Sequence, residues 1–533
     1  MFHQPTSYHT VVKGQRIDLI QDPDYVAVRY RDEIKHSGRL MASSHEALGS
    51  FSNRIEPPHA LHAKYTILPV AQTGQLRIQR FMSACNALKP NDNVVRTNPV
   101  FKTGDTKLVP TDEILLKFSD ENARICFTEE YAADLKMRPL HPETFEYVLQ
   151  LPAEKDVLEE SQALSERPNI VYARPNFLII GPRLPRSVAG NIPIDPQEKH
   201  QYALEITKAR QAWDLQRGDK DIVIAIIDEG VDTQHEDLKA AIHPLSYDAI
   251  DDDSFQEPLS GDGHGTSCAG LAAGVHGNSV GMKGIGGGCS IMAIRIACSR
   301  PGETWTTDEQ IVKGIDFAWK NGADILSNSW GGGAPNDAVI DAFQRAKTYG
   351  RNGKGCVIVV AAGNESRPVS FPANLPDVLG VSATNEFDEF KTKRSRDGEQ
   401  FWGSNFGPEI DISAPGVHNL TTDITGSAGY DPGNYYSFFN GTSSATPIVA
   451  GAAGLVLSSN RDLTGEQVHQ ILKSTADKIG PGRYARGRND YFGYGRLNVL
   501  KAVEAAIASK SAPLSSLLSS ATPRTNMRRS RSE

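Results

Sequence analysis

Residues 222–238 read IVIAIIDEGVDTQHEDL. The apolar run at 222–227 lacks the alternation of a half-exposed strand, so it predicts a strand buried on both faces. Downstream, Ile311, Val312, Ile315, Ala318 and Trp319 recur at helical spacing and stop at Asn321-Gly322. Residues 325–330 and 357–361 predict further strands, separated by a helix carrying Val339, Ile340, Phe343 and Ala346. Buried strands alternating with amphipathic helices predict an α/β fold, with a mostly parallel sheet covered by helices on both faces. In such sheets functional groups gather beyond the carboxyl ends of the strands. Asp228 stands at one of those ends.

Upstream the pattern changes to short strands. VVRTNPVF at 94–101 and IVYARPNF at 170–177 are weakly alike. Each follows a strand-like run (65–70 and 147–151) and a segment with helical character, and runs at 26–30 and 113–118 open the two halves. In the first half Ile78, Phe81, Met82, Cys85 and Leu88 keep helical spacing. A duplicated strand–helix–strand unit is the expectation. The chain then divides into an N-terminal segment (1–22), an α+β unit (23–104), a second small α+β unit (105–180), a Pro/Gly/Arg-rich linker (181–195), the α/β domain (196–508) and a Ser/Arg-rich tail (509–533) for which disorder is expected.

With 533 residues the chain is long enough for two or three folded units. Its 56 Lys and Arg against 64 Asp and Glu give a net charge of −8, which points away from a nucleic-acid partner. No apolar run has the length of a membrane span. The N-terminus shows neither a basic start nor an apolar core, and the six cysteines lack CxxC spacing; together these predict a cytoplasmic protein with reduced thiols.

Four polar residues stand out, each with a plain structural alternative. Asp228 can accept from an imidazole or cap a turn. His264, in GDGHGTSCAGLAAG, is a base candidate or a packing residue among glycines. Cys268, one turn on, reads as a buried structural thiol. Ser443, in FNGTSSATPIVAGAAGLVL, opens a helix in which Pro447 is expected in or near the first turn. A hydroxyl there gains from the helix dipole, or is one member of an N-cap cluster. Asn364 ends VIVVAAGN, where its carboxamide can donate to an oxyanion or form a turn. The order Asp, His, Ser and the extended motifs join them.

IAIIDEGVDTQHEDL, GHGTSCAGLAAG, SNSWGGG, VVAAGNES and NGTSSATPIVAGAAGLVL together resemble the subtilisin-like serine peptidases over residues 195–510. The resemblance implies Ser443 as nucleophile, His264 as base and Asp228 as the group orienting the base. It implies an oxyanion hole made by Asn364 and the Ser443 N–H. No metal or organic cofactor is implied for catalysis, and the partner is a protein or peptide substrate. Ser329-Trp330-Gly331 and Ala361-Ala362-Gly363 match substrate-pairing segments and are expected to be strand-like. Trp330 and the spacing of Cys268 are kexin-like features, while GGGAP after Trp330 lacks the acidic residues that read paired basic residues. Asp237 and Asn278, with the carbonyls of Val280 and Met282, match a structural calcium site. Residues 113–177 resemble an inhibitory propeptide, which implies a self-inhibited zymogen with its own N-terminal region in the cleft. Two rivals keep the same residues: a peptide acyl transferase or macrocyclase, and a catalytically silent binding protein.

Overall fold

The structure, a computed structural model, describes residues 8–13, 15–30, 65–69, 85–86, 88, 94–130, 136–182, 200–300 and 303–510. Strand Val223–Asp228 lies inside a parallel seven-stranded sheet. The strand order is Tyr247–Asp248, Ser290–Arg295, Val223–Asp228, Ile325–Asn328, Val357–Ala361, Leu379–Thr384, Ile412–Pro415. Alternate side chains feed two cores. Ile224, Ile226, Ile325 and Val359 pack with Ala269 and Ala272 of helix Gly263–Ala273 and with Ile448 and Val449 of helix Thr442–Ser459. Val223, Ala225, Ile227 and Val360 pack instead with Ile311 and Val312 of helix Asp308–Lys320 and Val339 and Phe343 of helix Asp337–Tyr349. A strand buried on both sides has no face to leave polar, which is why 222–227 is apolar throughout.

Helix Asp308–Lys320 starts at a capping box between Thr307 and Gln310 and stops at Asn321. The helix carrying Ser443 lies close against the one carrying His264. A Cβ added at Gly451 would stand 2.5 Å from the Ala272 carbonyl oxygen, so a glycine is needed there.

The N-terminal region forms a ten-stranded sheet that includes two strands of the α/β domain. Strand Gln15–Tyr30 is flanked by Tyr65–Pro69 and Val94–Thr103, all antiparallel. Strand Thr106–Phe118 is flanked in the same way by Glu146–Gln150 and Ile170–Pro182. Hairpin Val94–Thr103/Thr106–Phe118 joins the two arrangements. Strand Ile170–Pro182 then pairs with Glu303–Thr307, which pairs with Cys298–Arg300.

Several sequence boundaries move. Strand Gln15–Tyr30 crosses the expected break at 22/23, because its long edge finds partners on both sides. Strand Ile170–Pro182 takes in Gly181 and Pro182 of the expected linker; the rest of that linker, most of the 78–88 helical stripe and the tail beyond 510 lie outside the described residues. Ser329 and Trp330 follow the end of strand Ile325–Asn328, and Ala362 follows Val357–Ala361, so neither substrate segment continues as a strand. Pro447 is inside the helix, beyond its first turn. Among the described residues no helix is long and apolar enough to cross a membrane.

Candidate active site

Asp228, His264, Asn364 and Ser443 line one cavity of about 170 Å³ at the carboxyl edge of the parallel sheet. Asp228 is the last residue of its strand. His264, near the start of helix Gly263–Ala273, donates from Nδ1 to Asp228 Oδ1 at 2.8 Å. The Glu229 N–H donates to the same oxygen at 2.8 Å. With the proton on Nδ1 the neutral ring keeps Nε2 as an acceptor. Burial is the largest single influence and opposes charge on the ring, but the Asp228 carboxylate and the Cys268 sulfur together outweigh it and hold the His264 pKa well above the ordinary histidine value. Phe439 meets the ring edge-on at 5.4 Å.

Ser443 follows Gly441, whose φ of 110° turns the chain into helix Thr442–Ser459. Its hydroxyl donates to the Ser329 carbonyl at 3.0 Å, and the Ser329 hydroxyl donates to the Ser443 carbonyl at 3.0 Å. That carbonyl is available because Pro447, four residues on, has no N–H to give it. Cys268 Sγ also approaches it at 3.6 Å. Burial raises the Cys268 thiol pKa, in keeping with a structural thiol.

Asn364 is oriented by helix start residue Thr442, whose N–H and hydroxyl donate to Oδ1 at 2.8 and 3.1 Å. With Oδ1 engaged, Nδ2 is the arm left to donate. Thr442 also accepts from the Gly363 N–H at 3.1 Å. Its dual role is legible in the sequence only as an N-cap. Glu229 and Asp308 also line the cavity, and no sequence motif marks either. Burial pushes the Asp308 carboxyl up to about 7.

The substrate segments contribute Ser329, Trp330, Gly331, Ala361 and Gly363 to the cavity wall; Ala362, fully buried, is in the core behind it. Thr106, Ile179, Gly181 and Pro182 of the N-terminal region line it too. Register places Leu178 opposite Thr307 and Pro182 opposite Glu303, so the last N-terminal strand enters the cavity along a strand edge of the α/β domain.

Asp237 is fully buried away from the cavity. Its carboxylate accepts from Asn278 Nδ2 at 2.6 Å and from the Met282 N–H at 2.6 Å. Met282 thus meets it through nitrogen instead of its expected carbonyl, and Asn278 Oδ1 takes the Val280 N–H at 3.1 Å. Burial pushes the Asp237 carboxyl up to about 6, and neighbouring Glu236 adds to the shift. A buried carboxylate raised in this way, beside a carboxamide that can turn its oxygen inward, fits a hard cation in the kind of donor it offers.

Residues 219–495, just over half of the chain, match the model of the Subtilase family. A calcium-dependent protease of Trichormus variabilis is 37% identical over 344 residues, covering 57% of this chain and 49% of that protein. The chain therefore spans about half the length of that relative. Fervidolysin from Fervidobacterium pennivorans, a solved structure, has a TM-score of 0.58 at 22% identity over 74% of this chain and 61% of that one, a likeness of fold. The halolysin-like extracellular serine protease Nep of Natrialba magadii is 32% identical over 318 residues, covering 58% of this chain and 53% of that protein. An extracellular relative of this kind overturns the cytoplasmic location expected from the sequence. The physical reason is that Cys268, Cys289 and Cys356 are buried in the core, and a thiol kept from pairing by burial does not report a reducing compartment.

Proposed function

The chain belongs to the subtilase family, and we propose that it is a serine endopeptidase made as a self-inhibited zymogen. The observation that carries this reading is the 2.8 Å bond from His264 to Asp228 in the same cavity as Ser443 and Asn364. Rotation of the Ser443 side chain away from the Ser329 carbonyl brings Oγ toward Nε2 of His264. Oγ then attacks the scissile carbonyl carbon while Nε2 takes its proton. Asp228 fixes the tautomer and stabilises the imidazolium that forms. Asn364 Nδ2 and the Ser443 N–H meet the developing oxyanion. Nε2–H next protonates the leaving amine. Water, deprotonated by the same ring, hydrolyses the acyl-enzyme and restores the serine.

Substrate is a protein or peptide, laid in extended form along strand edge Glu303–Thr307 and the Ser329–Gly331 segment. Residues 178–182 already occupy that edge, which supports the reading of 105–180 as an inhibitory propeptide cut within the linker that follows it. The cut and covering segments would then belong to one chain. Asp237 and Asn278, with loop carbonyls at Val280 and Met282, would hold a structural calcium after the amide of Asn278 turns; the ion supplies rigidity and takes no part in the chemistry.

Intact masses of the wild-type chain and Ser443→Ala, purified in parallel, test the proposal. A shortened wild type beside a full-length variant is expected. Two identical full-length masses would remove self-processing, and product masses lacking the added water of hydrolysis would replace hydrolysis with acyl transfer.

A further inference from the structure

The strand in the cavity and its partner divide their side chains between two faces. Leu178 and Ile180 pack in a core with Trp305 and Cys298. Ile179, Gly181, Thr304 and Thr306 turn the other way and line the cavity. Register puts Ile179 opposite Thr306 and Gly181 opposite Thr304. Residues directly opposite in an antiparallel pair share a face, with Cβ atoms about 4.5–5.5 Å apart. A substrate laid along the same edge therefore points the side chain at the Gly181 position where Thr304 points its own.

Thr304 points at an acid. Its hydroxyl donates to Glu229 Oε1 at 3.0 Å, and the Ser299 hydroxyl donates to the same oxygen. Glu229 is 3% exposed, lines the cavity and directly follows Asp228. Hydroxyl donors fix where the carboxylate stands. A cation arriving from the cavity would add a charge-assisted bond, which is stronger than any a hydroxyl makes.

The two cavity-facing positions are filled differently. Ile179 is buried, and a Cβ added at Gly333 would stand 3.4 Å from its Cδ1, so an apolar side chain occupies that place. A Cβ added at Gly181 would meet nothing within 4 Å among the described residues, and the backbone there is not left-handed. The chain's own strand thus leaves room for a side chain on the face that holds Glu229.

We propose that Glu229 selects substrates carrying Lys or Arg at the residue that pairs with Thr304, on the amino side of the cut. The inference rests on the reading of the cavity as the peptidase site. It names one basic residue at one register position; two residues earlier, opposite Thr306, an apolar side chain is favoured, as Ile179 is. Asp308, the other acid of the cavity wall, takes the Phe177 N–H at 3.4 Å, on the far side of Ile179 from Gly181.

The test uses the full-length chain after its own processing, with peptide pairs identical but for Lys or Met at each position on the amino side of the cut. At one position the Lys peptide is expected to exceed its Met partner in kcat/KM at least about tenfold, and Glu229→Gln to bring that ratio to about one. The ratio is taken within each enzyme, so a general loss of activity in the variant cancels. Asp308→Asn is expected to keep the wild-type ratio. A second measurement needs no turnover. In the full chain carrying Ser443→Ala, Gly181→Lys should melt above Gly181→Met and Gly181→Glu below it, and adding Glu229→Gln should erase that order. Equal cleavage of Lys and Met peptides by the wild type, a preference that survives Glu229→Gln or one lost in Asp308→Asn would overturn the proposal, as would equal melting of the three Gly181 variants. Cleavage of no peptide at all would instead count against the peptidase reading, while the melting order would still decide whether Glu229 receives a cation.

Discussion

Ser443 and Ser329 exchange two hydrogen bonds, each hydroxyl donating to the other residue's carbonyl. Releasing the Ser443 hydroxyl gives up one neutral hydrogen bond, a net of about 0.5–1.5 kcal/mol. That is small beside the many kcal/mol by which enzymes lower their barriers, so the serine is held without being blocked. Asn364 is a different case. With Oδ1 fixed by Thr442, its Nδ2 needs no reorganisation to meet an oxyanion. Asn364→Ala is expected to lower kcat roughly 10²–10³-fold with little change in KM, the cost known for one such donor in a subtilisin. The His264 pKa is raised in the folded protein, and catalysis needs the neutral ring. The acid limb of kcat/KM should therefore rise through a pKa above about 6.5, the unperturbed value. Asp228→Asn removes the largest of the influences that raise it, so the limb should move to lower pH as kcat falls. A limb at the same pH in both proteins, measured with one peptide substrate, would contradict this electrostatic origin.

The helix bearing Ser443 depends on two residues that break helical rules. Pro447 withholds an N–H from the Ser443 carbonyl, which is then free to receive Ser329. Gly451 admits the Ala272 carbonyl at a distance no side chain allows, and so sets how near the helices carrying His264 and Ser443 lie. Gly451→Ala is expected to destabilise the fold by about 1–3 kcal/mol through overpacking, read from denaturant midpoints with an unchanged m-value. Both residues are visible in the sequence, but their purposes are not, since each acts on a partner distant along the chain. The same division runs through the other elements. The apolar run at 222–227 and the stripe from Ile311 to Trp319 announce themselves, because burial and amphipathicity leave local patterns. Strand Gln15–Tyr30 is longer than its apolar part because pairing partners, which no local pattern names, define its ends. Composition alone predicts strand at Ser329 and Trp330. The chain leaves the sheet there to engage Ser443 and, through the Trp330 indole, the Ile227 carbonyl at 3.0 Å.

Across the described residues, a parallel sheet and its helices bring Asp228, His264, Asn364 and Ser443 to one cavity, and an antiparallel sheet lines part of its wall. The parallel part is legible because each strand carries its own apolar signal. The continuity between the two sheets' territories is not, since edge pairing between Ile170–Pro182 and Glu303–Thr307 leaves no mark in composition. Calcium belongs to this scale because Asp237 and Asn278 lie on separate loops and hold each other across 41 residues of chain. If an ion binds there at a hundred times its dissociation constant, linkage gives about 2.7 kcal/mol, or about 4 °C in melting temperature for a domain of this size. Chelation of the calcium-loaded protein should produce that loss, and Asp237→Asn should abolish the difference. An unchanged melting curve would remove the ion from the scheme.

The reaction of Ser443 with a fluorophosphonate probe, followed by peptide mass spectrometry after the N-terminal half has been removed, is the most direct measurement. One adduct on the peptide containing Ser443 is expected, strongly slowed by His264→Ala and lost in Ser443→Ala. A folded, uncovered protein that gains no adduct at Ser443 would contradict the assignment of Asp228, His264 and Ser443 as a working triad.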